Sequence, residues 1–321
     1  MKTDKIWMSR NKMGIAPFVF LTPALIFFTI YVIIPIFQSL YLSLYQWNGL
    51  YDGEGNSTAI FIGLDNYRKL YVDPNFWTSI FNNILWLILY MLAVPAGLFI
   101  ALFLNQTVYG MKIYKSLFFF PFVISQVVVG LIFAWFYNPE FGIVAKIWQF
   151  FFCVEKINIV GNISIKCAMP VPDILSSGDY ATYGIIFAGL WPQIAYCLIL
   201  YLTGLNSVAA DQIEAARLDG AKGWRMLWFI VLPQLKPATF IAVVVTVIGA
   251  LRSFDMIAIM TRGGPYGSTN VLSHYMFEVA ISEYGSRYGY GSSIATVLFG
   301  IMLTFISYFL WRMYQDERVD N

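Results

Sequence analysis

The sequence predicts an all-α, polytopic membrane protein that crosses the bilayer six times. Hydrophobic residues make up 59% of the chain and charged residues only 12%, against about 25% charged in soluble domains. Six apolar stretches are each long enough to cross a hydrocarbon core of about 30 Å, which takes about 20 residues. They lie near residues 16–40, 80–104, 116–137, 182–205, 237–259 and 290–312. The whole chain, 1–321, is therefore expected to form a single transmembrane domain.

The first stretch is expected to stay in the membrane, because uncharged sequence continues from Ala16 to Tyr51, beyond the apolar region of about 7–15 residues of a signal peptide. Basic residues favour the cytoplasmic side. With six spans, the segments that are richest in basic residues all lie on the same side of the membrane. These basic residues are Lys2, Lys5, Arg10, Lys12, Lys112, Lys115, Arg217, Lys222, Arg225, Lys236, Arg312 and Arg318. Both termini are therefore expected to be cytoplasmic.

Residues 138–181 form a long connection on the opposite side, and loops of this length are usually functional or have structure of their own. We expect a small extracytoplasmic cap here. Cys153 and Cys167 both lie in this loop, where an oxidising environment permits a disulfide. The sequence leaves a disulfide and two free thiols equally open. Cys197 lies within the fourth span and is interpreted as a small packing residue.

A charged, helix-forming segment separates the fourth and fifth spans, at residues 207–236. Residues 211–237 read DQIEAARLDGAKGWRMLWFIVLPQLKP, a stretch that is rich in helix formers and has a turn glycine at Gly220. The pattern predicts two short helices at the membrane surface. Ala215 and Ala216 would let another surface approach closely, Glu214 offers a charged contact, and Gly220 permits a backbone reversal.

The E-A-A pattern, Gly220 six residues after Glu214 and the closing Leu232-Pro233 resemble the cytoplasmic signature loop of permease subunits of ATP-driven bacterial importers. The resemblance implies that the first short helix fits a groove on a partner ATPase and transmits its closing motion. The residues expected to couple to the ATPase are Glu214, Ala215, Ala216, Arg217, Asp219 and Gly220. The alternative is an amphipathic interfacial helix pair that has no partner.

Further motifs resemble carbohydrate-importer permeases of the maltose, multiple-sugar and glycerol-phosphate type. They are Gly63-Leu64-Asp65-Asn66-Tyr67, Phe76-Trp77, Asn82-Asn83, Phe254-Asp255, Thr261-Arg262-Gly263-Gly264-Pro265, Ser268-Thr269 and Tyr288-Gly289-Tyr290-Gly291. The resemblance implies a type I ABC importer permease in the bacterial inner membrane, forming half of a pathway for an oligosaccharide by alternating access. The implied partners are a second homologous permease in a heterodimer, two ABC ATPases and an extracytoplasmic solute-binding protein.

The chain has no G-x-x-x-x-G-K-[ST] phosphate cradle, so we expect it not to be an enzyme and to hold no cofactor, with ATP and Mg²⁺ bound by the partner subunits. The net charge of +2 gives no indication of a nucleic-acid partner. The single histidine, His274, is interpreted as a polar loop residue, because one histidine offers no metal-binding or catalytic constellation.

The solute path needs aromatic rings interleaved with small polar groups. The candidates are Gln193, Tyr196, Thr246, Gly249, Arg252 and Ser253; the spacing of Tyr196 and Ser253 from Glu214 resembles that of pathway positions in maltose-type permeases. Tyr196 and the nearby Trp191 are equally compatible with packing roles.

Arg252 and Asp255 are three residues apart and are expected on one helix face of the fifth span. They form either a snorkelling pair near the interface or a cavity site for sugar hydroxyls, a uronate or a phosphate. Two alternative functions remain: an ATP-driven permease for a non-sugar solute, and a gradient-driven carrier. The carrier is disfavoured because spans one to four and six hold no charged residue except Arg312, whereas ion coupling uses charges within the membrane.

Overall fold

The computed structural model describes residues 16–51, 57–106, 109–157, 163–167, 169–282 and 286–319. The chain forms two compact units. The first contains residues 1–70 and 278–297, and the second contains residues 71–277 and 298–321. Both units are predominantly helical, as the composition predicts.

The first unit begins with a long apolar helix. Helix α1 (Ala16–Phe28) continues through a wider, π-helical turn (Thr29–Ile33) into α2 (Ile34–Leu42). None of the residues from Val19 to Leu42 in its apolar window is buried by the rest of the chain. Since exposed apolar surface of this extent is unfavourable in water, the helix fits the predicted first span, where lipid or a partner covers it.

Short elements follow this helix. Strand β1 (Tyr45–Gln46) pairs with β2 (Ile60–Phe61) in an antiparallel ribbon, and α3 (Asp65–Val72) comes next. The buried Asn66 donates hydrogen bonds from Nδ2 to the carbonyl oxygens of Ser43 (2.8 Å) and Tyr45 (3.0 Å). These bonds attach α3 to the end of the long helix and to β1.

In the second unit, α4 (Pro74–Tyr90) and α5 (Ala93–Leu104) together form one apolar helix of 31 residues, interrupted only by a turn. Helices α6 (Met111–Val123) and α7 (Gln126–Phe136) are bent by 98° relative to each other. The span predicted over 116–137 is therefore formed by two bent helices and not by one continuous helix. The break follows Pro121. Ser125 is the N-cap of α7, and its Oγ accepts a hydrogen bond from Val128 N at 3.4 Å.

The connection 138–181 contains α8 (Ile143–Phe152) and an antiparallel hairpin of β3 (Cys153–Ile157) and β4 (Ile163–Cys167). Cys153 is disulfide-bonded, whereas Cys197 is a free, buried thiol. In the hairpin register Cys153 is opposite Cys167, the remaining cysteine of the chain, whose side chain lies outside the described residues.

Helix α9 (Ala181–Asn206) is the centre of the second unit and packs against α4, α5, α6, α7 and the later helix α13. One cluster of buried side chains surrounds Trp86, Tyr90 and Ile185, and a second surrounds Leu104, Cys197 and Tyr201. Pro192 lies inside α9, which remains one 26-residue helix.

The remaining elements follow in order, and they are α10 (Ala210–Leu218), α11 (Trp224–Met226), a π-helical turn (Leu227–Val231), α12 (Leu232–Gln234), α13 (Lys236–Leu251), α14 (Asp255–Met260), α15 (Leu272–Ala280) and α16 (Tyr288–Val319). The predicted fifth span, 237–259, is not one helix, because α13 ends at Leu251 and α14 starts at Asp255. The segment Trp224–Gln234 is bent by 70° against α13. Within the described residues, four helices could each cross a membrane alone, and six spans result if each bent pair counts as one.

Candidate functional site

The predicted coupling residues lie on α10 and on the turn that follows it. Two backbone hydrogen bonds close the helix: Gly220 N donates to Arg217 O (3.1 Å) and Ala221 N donates to Ala216 O (2.9 Å). This is the Schellman arrangement, which needs a left-handed residue at its centre. Gly220 has a φ of +83°. The predicted backbone reversal at Gly220 is therefore confirmed.

Most coupling candidates face away from the rest of the chain; the exposed ones are Glu214, Ala215, Arg217, Asp219 and Gly220. Leu218 is also 90% exposed, which is a high exposure for an apolar side chain. Ala216 is only 6% exposed, and α10 packs on the helical segment that begins at Trp224. The expectation that both alanines are open to another surface is therefore wrong for Ala216, which serves packing within the loop.

The two ends of the loop are joined to each other. Ala209 N, just before α10, donates to Gln234 Oε1 at 3.2 Å, and Gln234 Nε2 donates to Ile230 O at 3.2 Å. Helix α9 ends three residues before Ala209, and α13 starts two residues after Gln234. The bond therefore joins the chain segments that adjoin the end of α9 and the start of α13.

Two of the predicted pathway residues bind each other. Gln193 on α9 and Thr246 on α13 are both buried, and Gln193 Nε2 donates to Thr246 Oγ1 at 2.9 Å. The thiol of Cys197 lies 4.0 Å from the Gln193 nitrogen and 3.6 Å from the Thr246 hydroxyl. A buried amide needs such partners, and interhelical hydrogen bonds of this kind hold membrane helices together. In this conformation the pair joins α9 to α13.

The aromatic candidates on α9 contact other aromatic rings. The Tyr196 ring lies 5.2 Å from the ring of Phe122, and the Trp191 ring lies 5.9 Å from that of Phe133, measured between centroids. Tyr196 is half-buried, and Trp191 is 37% exposed. Both therefore keep a face open, on the side of α9 that carries α6 and α7.

The candidates near the end of α13 are separated by the helix break. Ser253 is buried and its Oγ donates to Ala250 O at 2.8 Å. Gly249 is half-buried, and a Cβ there would lie 3.7 Å from Gln193 Oε1, an ordinary contact distance. Arg252 is exposed at the residue after α13. These three residues therefore do not line one common surface.

The expectation that Arg252 and Asp255 share one helix face is wrong. Arg252 ends α13 and Asp255 begins α14, with a backbone hydrogen bond from Phe254 N to Arg252 O (2.7 Å) marking the tight turn between them. Both side chains are exposed. The only ion pair among the described residues joins Lys69 and Asp65, so the pair expected at Arg252 and Asp255 does not form.

A stripe of buried residues on α4 was not predicted from the sequence. Trp86 and Tyr90 are almost fully buried, and Tyr90 OH donates to Gly189 O at 2.9 Å. Trp86 Nε1 is buried without a hydrogen-bond partner among the described residues. The signal was present as a helical repeat of polar and aromatic residues, namely Ser79, Asn82, Asn83, Trp86 and Tyr90.

Two of the motifs that resemble carbohydrate-importer permeases contact each other. Asn82 Nδ2 donates to the carbonyl oxygens of Ser268 (2.7 Å) and Asn270 (2.8 Å). His274 is buried within α15, and its Nδ1 lies 2.8 Å from Asn270 Oδ1. The interpretation of His274 as a loop residue is therefore wrong. It supports the turn between α14 and α15.

Comparisons with known proteins indicate the family of the chain. Residues 93–319, more than half of the chain, match the family described as binding-protein-dependent transport system inner membrane component. A probable ABC transporter permease protein of Pyrococcus horikoshii is 33% identical over 304 residues, which cover 93% of this chain and 95% of that protein. A multiple sugar-binding transport system permease protein of Streptococcus mutans is 31% identical over 88% of this chain and 90% of its own length.

The fold is shared with a solved structure. A chain in the crystal structure of a bacterial ABC transporter involved in the import of the acidic polysaccharide alginate superposes with a TM-score of 0.74, covering 99% of this chain and 100% of that chain. The sequence identity is 19%, so this likeness establishes the type I importer permease fold alone. The family match excludes the gradient-driven carrier. The chain belongs to the family of binding-protein-dependent transport system inner membrane components and is a permease subunit of an ABC importer, not an enzyme.

Proposed function

We propose that this permease forms one half of the translocation pathway for an oligosaccharide or a related sugar. The observation that carries the sugar assignment is the near full-length similarity to the Streptococcus mutans multiple sugar-binding permease. The motifs that resemble carbohydrate-importer permeases support it, and the structure joins two of them through Asn82. A non-sugar solute is the alternative.

We propose that α10 seats on a partner ATPase and passes its motion to the long helices. Glu214 and Leu218 are exposed on α10 and available to a partner. The hydrogen bond between Ala209 and Gln234 ties the ends of the loop together, and the Gln193–Thr246 bond ties α9 to α13 further along. A push on α10 would therefore move both helices together, which alternating access requires.

Within the pathway, exposure separates two groups of the predicted residues. Tyr196 and Arg252 keep open surface and are proposed to face the solute, whereas Gln193 and Thr246 hold the helices together. Gly249 and Ser253 are proposed to shape the wall. Arg252→Leu would lower uptake if the guanidinium contacts the solute, and normal uptake would favour the snorkelling alternative.

The proposed assembly contains a second, homologous permease, two ATPases that bind ATP and Mg²⁺, and an extracytoplasmic solute-binding protein. The sequence has no phosphate cradle of its own, so the nucleotide has to be bound elsewhere. We propose six spans with both termini cytoplasmic. The bent pair of α6 and α7 counts as one span, and the fifth span consists of α13 continued by α14, which leaves Trp224–Gln234 at the membrane surface.

Uptake by the reconstituted transporter tests the sugar assignment. Proteoliposomes that contain the complete complex and its solute-binding protein would be given ATP and a panel of labelled oligosaccharides, amino acids and compatible solutes. We expect ATP-dependent accumulation of at least one oligosaccharide and of no amino acid. Accumulation of only a non-sugar compound would overturn the sugar assignment and leave the permease function intact.

A further inference from the structure

The first unit contains a cavity of about 320 Å³, within the range of about 300–1,000 Å³ that is usual for small-molecule sites. Its wall includes two cations, two aromatic rings and two side-chain amides; these residues are Gln46, Trp47, Asn48, Lys69, Arg287 and Tyr290. On the proposed topology the cavity lies on the extracytoplasmic side.

A glycine in the Tyr-Gly-Tyr-Gly motif builds this cavity. A Cβ atom on Gly289 would overlap the carbonyl oxygen of Tyr45, and Gly289 N donates to Trp47 O at 3.3 Å. Only glycine allows this close approach of α16 to the strand. As a result, Arg287 and Tyr290 lie in the same cavity wall as Trp47.

The two cations of the cavity differ in whether a carboxylate neutralises their charge. Lys69 Nζ lies 2.8 Å from Asp65 Oδ2, and its hydrogen bond and charge hold the pKa of the Asp65 carboxyl below its ordinary value. The Arg287 guanidinium is exposed and lies over the Tyr290 ring, 4.9 Å from the centroid. It forms no ion pair with any carboxylate in the described part of the chain. A guanidinium in this setting is suited to bind a carboxylate through two parallel hydrogen bonds.

The aromatic wall and the amides fit a sugar ring. Trp47 is half-buried, and its Nε1 donates to Leu50 O at 3.0 Å, which fixes the ring. The side chain of Gln46 makes no hydrogen bond to another described residue, and Asn48 uses only its Oδ1, which accepts from Leu50 N at 3.2 Å. Rigid aromatic faces bind apolar sugar surfaces, and amide groups bind hydroxyls.

We propose that this cavity binds one uronic acid unit, with the carboxylate on Arg287, the sugar ring against Trp47 and the hydroxyls on Gln46 and Asn48. The site would receive the end of an acidic oligosaccharide on the extracytoplasmic side. This inference rests on the sugar-import function proposed above and narrows its substrate class.

Binding of digalacturonate to the complete, purified transporter tests the proposal, measured by isothermal titration calorimetry without nucleotide and without the solute-binding protein. We expect saturable binding that Arg287→Gln weakens about tenfold or more, the effect of losing a charge-assisted hydrogen bond. Arg68→Gln is the matched control, because Arg68 is an exposed cation on α3 outside the cavity. Gln46→Leu is an independent second variant and should also weaken binding. Unchanged affinity in both Arg287→Gln and Gln46→Leu would overturn the proposal.

Three further ligands define what the cavity recognises. Maltose, which lacks the carboxylate, and acetate, which lacks the sugar, should both bind more weakly than digalacturonate. Equal affinity for maltose or for acetate would overturn the assignment to a uronic acid, and so would tighter binding of an acidic peptide, which would indicate a protein partner.

The uptake panel separates this inference from the proposed function. Transport of neutral sugars with no digalacturonate binding would overturn only this inference. Failure to transport any sugar would overturn the proposed function instead.

Discussion

Gly97 on α5 lies directly against Cys197 on α9, so that a Cβ atom on Gly97 would be 2.5 Å from the Cβ of Cys197 and 2.9 Å from the backbone nitrogen of Leu198. Small residues at helix interfaces allow membrane helices to approach this closely. Because α9 is the central helix of the second unit, this contact determines how the longest apolar helix of that unit packs on it.

Gly97→Ala should destabilise the transporter. The added methyl group has to displace the backbone of α9, and overpacking of this kind costs about 1–3 kcal/mol. The matched control is Gly300→Ala on α16, where an added Cβ meets nothing within 4 Å; higher helix propensity makes that change neutral or favourable. Thermal unfolding in detergent, followed by size-exclusion chromatography, should show a lower midpoint for Gly97→Ala alone. Equal midpoints for both variants would show that the close approach is not present.

The Gln193–Thr246 hydrogen bond should give a measurable coupling energy between α9 and α13. Gln193→Leu and Thr246→Val each leave one buried polar group with fewer partners, whereas the double variant removes both groups. A double-mutant cycle on the unfolding free energy is expected to give roughly 0.6 kcal/mol, the average for polar contacts in a membrane protein. The same variants measured for uptake separate packing from solute contact. A coupling energy of zero would contradict the structural role.

Gly220→Val should uncouple ATP hydrolysis from uptake, whereas Gly220→Asn should be tolerated better. Nothing lies within 4 Å of a Cβ at Gly220, so any effect comes from its φ of +83°. A β-branched residue disfavours this conformation strongly, while asparagine adopts it more readily. The readouts are solute-stimulated ATPase activity and uptake in the same preparation. Glu214→Lys is expected to weaken the ATPase contact without changing the turn. Normal coupling in Gly220→Val would leave α10 as an ordinary interfacial helix.

Cysteine labelling tests the proposed orientation. In a Cys197→Ala background, a cysteine at Ser57 should react with an impermeant thiol reagent in intact cells, or in spheroplasts if an outer membrane is present. A cysteine at Ala221 should react only after lysis. The background matters because Cys153 is disulfide-bonded and Cys197 is the buried free thiol. Reversed labelling would contradict the assignment of both termini to the cytoplasm.

The sequence by itself determined the class of the protein. A chain that is 59% hydrophobic and 12% charged has to place its apolar stretches in lipid, and only helices satisfy their own backbone hydrogen bonds there. The turn after the E-A-A segment could also be predicted from the sequence, because a left-handed glycine such as Gly220 at the end of a helix is a local property that depends on few neighbours.

Tertiary structure decided the details of the spans and of the candidate site. Apolar composition does not show where a helix bends, so the breaks after Val123 and Leu251 were not predicted, and with them the separation of Arg252 from Asp255. Burial of Ala216 and the pairing of Gln193 with Thr246 depend on which helices meet. The cavity in the first unit brings Trp47 together with Arg287, 240 positions apart in the sequence. The placement of two residues so distant in the chain around one cavity is set by packing, which no local pattern encodes.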